Sequence, residues 1–486
     1  MSSRGLIALL LVLICSFSLS GCALLGLGAL LGGGGGGGGN NGGNFSNSSL
    51  SGSYAFSFSG VNQNGFFAVA GSFQANGSGK ITGGTIDINS GGGIFTDQAI
   101  TGTYSVSSDG QGTATLTAAA GTFDIDFVIV STQNALVIRF DTTSTASGAI
   151  ALQNSSAFSL NALAGSFAFN VVGADAPGNG NAEASAGVFT VDSSGNFTGG
   201  VQDTDDNGSV TPNVTLIAKP LAMTAPTTGR GTLAIGTRNF AYYVVDANHL
   251  KLVETDLAPA LAGEAFRQSS TPISGSFAFT VAGANAGGTF EAGGIINTDG
   301  AGKVLNTSAQ DVNNDGLITE NSALSGNYSV AANGRGTMNL NGGTINFAIY
   351  PTTAGVLLFE TDSSIVAGGT AFQQSGTLSN TSVDGNYGMN LAGIVVGSNE
   401  INSVAQFAAD GAGNITGSVD FNNGGSLSSG LALTGKYSIA SSGRGTADFA
   451  SSFGTQSVIF YVVSGTQVLF IEVDTGLAAQ GQAAHQ

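Results

Sequence analysis

The chain has 486 residues, a formal net charge of -18 and only 9% charged side chains, against about 25% in an average globular domain. Its 12 basic residues are thinly spread, which excludes the basic patch that nucleic-acid binding needs. A hydrophobic fraction of 42% argues for a folded chain, and 78 glycines with 7 prolines suit many short strands joined by tight turns.

At the N-terminus, Arg4 precedes an apolar run from Gly5 to Phe17, the form of a signal peptide. Leu19-Ser20-Gly21-Cys22 follows. It resembles the bacterial lipobox, in which an apolar and two small residues precede a lipidated cysteine. The resemblance implies cleavage after residue 21, acyl chains on Cys22 and a stable membrane anchor. Cys15 does not fit, because Ile14 before it is too large. Ala23 stands where an aspartate would resemble an inner-membrane retention signal, so the outer membrane is expected. An uncleaved membrane helix running on to Leu31 is the alternative. Residues 32–39 are all glycine, and 40–49 are mostly Asn, Gly and Ser, a composition that reads as a flexible tether.

Beyond the tether one pattern is written four times, in repeats of about 105 residues. The repeats are placed at 50–154, 163–269, 272–375 and 383–486, after a leader at 1–21 and a tether at 22–49. Each opens on Gly-x-aromatic: Gly52-Ser-Tyr54, Gly165-Ser-Phe167, Gly275-Ser-Phe277 and Gly385-Asn-Tyr387. A glycine turn such as Asp410-Gly-Ala-Gly413 then leads into a third strand. Next come a strand on Tyr104, Tyr328 or Tyr437 and the turn Gly443-Arg444-Gly445-Thr446 or its counterparts. An apolar β-branched run such as Val458-Ile-Phe-Tyr-Val-Val463 is the sixth strand. The seventh ends in Asp141, Asp256, Asp362 or Asp474, and the eighth in Gln153, Gln268, Gln374 or Gln486. Large residues alternating with Ser, Ala and Thr give strands with one packed face. Eight sequential strands with short connections predict an all-β fold, each repeat an antiparallel meander closed into a small barrel, with a sandwich as the alternative. The strand opening is similar to that of lipocalin and avidin barrels, over a few residues per repeat. The whole resembles uncharacterised bacterial surface lipoproteins built from β-barrel-like repeats, a family that brings no known activity.

Three sets of residues invite chemistry. Arg230, Arg335 and Arg444 in the turn accompany Glu254, Glu360 and Glu472 on strand seven. Repeat one has Gln111 and Arg139 instead, so both partners change together, and an Arg–Glu ion pair is expected within each of the last three repeats. The pairs Glu254/Asp256, Glu360/Asp362 and Glu472/Asp474 have glycosidase spacing, but three near-equal copies read as structure. Loops at Asp203–Asn207 and at Asp311, Asn313 and Asp315 are similar to half an EF-hand. They offer a calcium candidate without the twelfth-position acid, and bare hairpin turns are the competing reading. Two histidines leave no Ser-His-acid set and no histidine-rich metal centre.

The expectation is a lipid-anchored cell-surface protein without enzymatic activity. It would carry a structural or binding role in adhesion or matrix contact, toward a surface ligand, glycan or protein. The alternatives are a carrier of small apolar ligands inside the barrels and a cell-surface glycan hydrolase. No cofactor is expected beyond the lipid on Cys22 and the calcium candidate.

Overall fold

A computed structural model describes residues 44–175 and 180–486, so the leader, Cys22 and most of the tether lie outside the described residues. The described residues form strands, turns and three single 3₁₀ turns, with no α-helix among them. Repeats three and four are closed eight-stranded antiparallel barrels, Ser274–Gln373 and Asp384–His485. Repeat one closes too, because its second strand pairs with its third. Its fourth strand is split into Gly93–Ala99 and Thr101–Val106, where repeats three and four have the single 14-residue strands Leu317–Val330 and Ser426–Ile439. In repeat two the same strand breaks around Pro220, which has no N–H to give a ladder. Hydrogen bonds from Phe197 N to Lys219 O (3.0 Å) and from Leu221 N to Gly195 O (2.9 Å) bridge the break. The fold is thus the barrel and not the sandwich.

Each barrel is filled. In repeat one, Phe56, Phe58, Phe67, Phe73, Phe123 and Phe127 meet inside. Each such side chain stabilises by about 2–3 kcal/mol when fully buried. Equivalent cores fill the other three barrels.

The alternation implies one packed face per strand, yet the first strand of repeat one, Ser51–Asn62, is buried on both. The reason is that the barrels pack on one another. Strands one to three of each repeat lie against strands six to eight of the next. Repeat four packs in the same way on repeat one, so the four barrels form a closed ring. Small outward residues allow this approach. Ala70 and Ala186 sit near Tyr243 and Tyr350 of the following repeats, and a Cβ on Gly293 would lie 2.4 Å from Tyr461.

In an antiparallel meander the turns fall alternately at the two ends. The chain enters repeat one, and passes between repeats, at one end, the proximal rim. Turns one–two, three–four, five–six and seven–eight form the distal rim. Contacts between neighbours join like ends, so all four barrels point the same way.

Candidate functional site

Four aspartates at one register of the third strand, Asp87, Asp203, Asp311 and Asp420, define the seams. A bulge in the fourth strand places a residue with positive φ opposite each: Asp97 (53°), Asn213 (56°), Asn321 (50°) and Gly430 (62°). The N–H of that residue donates to the aspartate, as from Asn321 to Asp311 at 2.7 Å. The arginine of the next repeat then closes on the carboxylate. Arg230 reaches Asp87 through Nε (2.7 Å) and Nη2 (2.6 Å), and Arg444 reaches Asp311 at 2.9 and 2.7 Å. Arg335 holds Asp203 in the same way. A tyrosine of the sixth strand completes each clamp: Tyr243 on Asp87, Tyr350 on Asp203, and Tyr461 on Asp311 at 2.7 Å. Burial first, then the adjacent carboxylate, pushes these phenols well above their ordinary range.

The expected pairs of Arg230 with Glu254, Arg335 with Glu360 and Arg444 with Glu472 are therefore corrected. The arginines point outward across a seam, whereas the glutamates are buried in the distal ends of their own barrels. Glu254 meets Arg238 at 3.1 Å instead. Burial drives Glu360 up to about 9 and Glu472 up to about 10, so both are neutral near pH 7. The matching aspartates cap turns. Asp362 accepts from Asn346 N at 2.9 Å and Asp474 from Ser457 N at 2.9 Å, which is structural use of the acid pairs. Arg139 holds Asp141 and lies 4.3 Å over the Phe123 ring.

The calcium candidate is corrected as well. Asp311 belongs to the clamp, and Asn313 turns its amide onto the Glu472 and Leu477 carbonyls (2.9 and 2.7 Å). Asp315 stays at the hairpin turn with φ of 51°. Among the described residues no cluster of three His, Cys, Asp or Glu could hold a metal. Asn89 and Asn422 repeat the Asn313 contact, donating to Asp256 O (2.9 Å) and Arg139 O (2.8 Å) of the next repeat. Repeat two has Asp205 at this register. Burial lifts its carboxyl to about 6, and Asp205 Oδ2 is buried without a hydrogen-bond partner. Replacing Asp205 with asparagine is expected to raise stability by about 1–2 kcal/mol at pH 7.5 and by much less at pH 4.5, where the acid is already neutral. Thermal unfolding at the two pH values checks this.

The glutamine that ends each repeat is the signal that strand reading missed. Gln374 Nε2 donates to Ser442 O (3.2 Å) and Val462 O (2.6 Å) of the next repeat. Gln153 grips Thr228 O and Val244 O, and Gln486 grips Asp109 O and Ile129 O across the closing seam. The glycines of the recurrent turn follow from this. Gly443 has φ of 86°, and a Cβ there would lie 2.4 Å from Gln374 Nε2. Gly445 lies under the Phe460 ring, 2.2 Å from where its Cβ would be.

The closing seam lacks the clamp. Gln111 stands for arginine and exchanges bonds with Ser418, its Oε1 accepting at 2.7 Å. Val128 stands for tyrosine against Val404, where the other seams have alanine or glycine. Asp126 occupies the place of Ala241, Ala348 and Ile459.

Openings remain at both rims. The distal mouth of barrel one is a cavity of about 190 Å³ between Phe67, Ile88, Phe95 and Arg139. A groove of about 840 Å³ lies on the proximal side between repeats two and three. Five large apolar side chains are exposed on the distal rim: Phe95, Leu257, Leu317, Leu427 and Phe453.

No family model matches the chain, and no curated protein matches it. Among solved structures, a DUF3598-family protein of unknown function from Nostoc punctiforme is similar at 8% identity and a TM-score of 0.17. It covers 44% of this chain and 97% of its own.

Proposed function

We propose that this is a non-enzymatic, lipid-anchored surface protein whose ring of four barrels presents a rigid binding face away from the membrane. The carrying observation is the distal rim. Of the nine large apolar side chains exposed among the described residues, five lie at the end opposite the one where the tether enters, and this concentration at one end favours it as a contact surface. Filled cores favour recognition by the rim over carriage inside the barrels, and the acid pairs capped into turns favour binding over glycan hydrolysis. In this reading Cys22 carries the lipid, the glycine stretch spaces the ring from an outer membrane, and matrix proteins or glycans are the ligands. The ring replaces avidity between loosely tethered domains with one continuous face.

Metabolic labelling with palmitate tests the anchor, and Cys22→Ser is expected to abolish it. Matrix-protein and glycan arrays probed with the full chain test the face. Leu257→Ser/Leu317→Ser/Leu427→Ser is expected to lower binding at least tenfold with the melting temperature preserved. Unchanged binding by the triple variant overturns the distal-face reading.

A further inference from the structure

Three of the four seams are stoppered at the proximal rim by the segment that leads into a repeat, and the fourth is not. Ahead of repeat one, the proximal turn glycine Gly110 would place a Cβ 2.9 Å from Phe45. Gly229 meets Phe158 at 2.6 Å, and Gly443 meets Leu378 at 3.1 Å. Ahead of repeat three the three atoms nearest a Cβ on the equivalent Gly334 all belong to Gln268. The linker explains the difference. It runs from Gln153 to Gly165 and from Gln374 to Gly385 in the stoppered seams, but only from Gln268 to Gly275 here, four to five residues shorter.

A second contact is lost with the stopper. Asn47 accepts from Val106 N at 2.8 Å through its side chain, and its carbonyl accepts from Tyr104 OH at 3.0 Å. Asn380 makes the same pair of contacts with Ile439 N (2.8 Å) and Tyr437 OH (3.2 Å). Ser270, solvent-exposed, stands at this register before repeat three, and Tyr328 OH reaches only Ile273 O. The side chains register the vacancy. Tyr104 and Tyr437 are each 6% exposed, whereas Tyr328 is half-buried and Val330 is 43% exposed. Gly302 meets only the Tyr328 carbonyl, where Gly79 and Gly413 also meet the Asn47 and Asn380 amides. The walls of a peptide site are therefore present, and the shorter leading segment Ser269–Ile273 lines the groove without making the contacts of its longer counterparts.

We propose that the groove between repeats two and three is a docking site for an extended segment of a partner protein that carries a large apolar residue two positions ahead of an asparagine. Two of the three occupied seams define this chemistry. Phe45-Ser46-Asn47 and Leu378-Ser379-Asn380 are the two places where Phe or Leu, Ser and Asn follow one another in this chain, and both are seated in their own seams. The apolar side chain would cover Gly334 and the turn at Ala331 and Ala332. The asparagine amide would take the Val330 N–H and lie along Gly302, and its carbonyl would accept from Tyr328 OH. Backbone groups left open at a sheet end supply the affinity, and the apolar anchor supplies the selection. The site lies at the proximal rim and does not depend on the distal face.

The probe is the capped, fluorescein-labelled hexapeptide Phe-Ser-Asn-Ser-Ser-Leu, titrated into the full chain by anisotropy. One equivalent is expected to bind and to slow amide exchange at Val330. Ala301→Trp, an exposed turn substitution lining the groove, is expected to weaken binding at least tenfold. Ala412→Trp, at the equivalent turn of a stoppered seam, is expected to leave it unchanged. Alanine in place of the peptide asparagine is expected to weaken it about fivefold. No binding at millimolar peptide, equal binding to the Ala301→Trp chain, or indifference to the asparagine each overturns the proposal. Self-association abolished by Ala301→Trp would make a second copy of the chain the occupant, and so overturns the assignment to a partner protein.

Discussion

Arg230→Met is expected to destabilise the seam between repeats one and two by about 3–5 kcal/mol, the usual cost of leaving a buried ion without its partner. Of the three clamps this one is the most buried, with side-chain exposures of 6% for Arg230 and 0% for Asp87. After the substitution Asp87 keeps the Tyr243 hydroxyl and the Asp97 N–H, but no cation faces it within the seam. Arg230→Met/Asp87→Leu is expected to recover most of the loss, because the penalty comes from the stranded charge more than from the lost attraction. A four-barrel ring has no single unfolding free energy, so the measurement must be local. Hydrogen exchange of the Asp97 amide and of the ladder around Tyr243 reports it. A cost below about 1 kcal/mol, the value of an exposed pair, would show that apolar packing alone holds the seam. Glu254→Gln serves as the comparison. It removes the partner first expected for Arg230 and leaves this seam's exchange unchanged.

The barrels were legible because strand identity is local. Alternation, turn glycines and the recurrent aromatic openings act within a few residues of one another. The ring was not, because its contacts join residues of different repeats far apart in sequence, as Gln374 and Ser442 are at 68 positions and Arg444 and Asp311 at 133. The signals were nevertheless present. An aspartate recurs at residues 87, 203, 311 and 420 in every repeat, while arginine and tyrosine recur only in the last three. That is the pattern of a contact made to the preceding repeat, not within one. Pairing Arg230 with Glu254 rested on repeat one changing at both positions. Gln111 in fact changes with Val128, and Arg139 pairs separately with Asp141, an aspartate that every repeat has. The four terminal glutamines recur at one strand end, and an amide donor kept there in every repeat implies carbonyls brought from elsewhere. What could not be read was the absent stopper, because a short linker such as 269–272 looks ordinary until its longer siblings are seen folded against a neighbour.

The closing seam is expected to weaken as pH rises, and by more than the seam that holds Asp205. Asp126 is 5% exposed, and burial, then Asp420 and Asp124, raise its carboxyl to about 7. Burial raises Asp420 as well, with Asp109 adding to it, and lifts Glu400 well above the carboxylate range beside Asn402. Among the described residues the salt bridges that cross seams belong to the other three, and none joins repeat four to repeat one. In the unfolded chain such carboxyls release their protons near pH 4, so between pH 4 and about 7 the folded seam holds protons that the unfolded chain has lost. Stability therefore falls with pH across that window, the opposite sign to an ion-paired aspartate. The full displacement of Asp126 is worth about 4 kcal/mol, and relaxation of the seam returns part of it, leaving about 2 kcal/mol. Asp126→Ala, which installs the residue of positions 241 and 348, is expected to recover that amount at pH 8 and almost none at pH 4.5. Gln111→Arg/Val128→Tyr/Val404→Ala rebuilds the clamp on Asp420, with alanine making room for the ring as Ala70 and Ala186 do. Exchange of the Val128 and Val404 amides, corrected for intrinsic rate, reads the wild-type seam at the two pH values, and Val128 reads it in Asp126→Ala. In the triple variant the unsubstituted Val130 and Ile138 amides are followed instead. Equal protection at pH 4.5 and 8 in the wild-type chain would mean that packing of Val128, Val130, Ile138 and Val404 overrides the carboxyls. Loss of protection at pH 8 that both variants restore would assign the weak point of the ring to these acids.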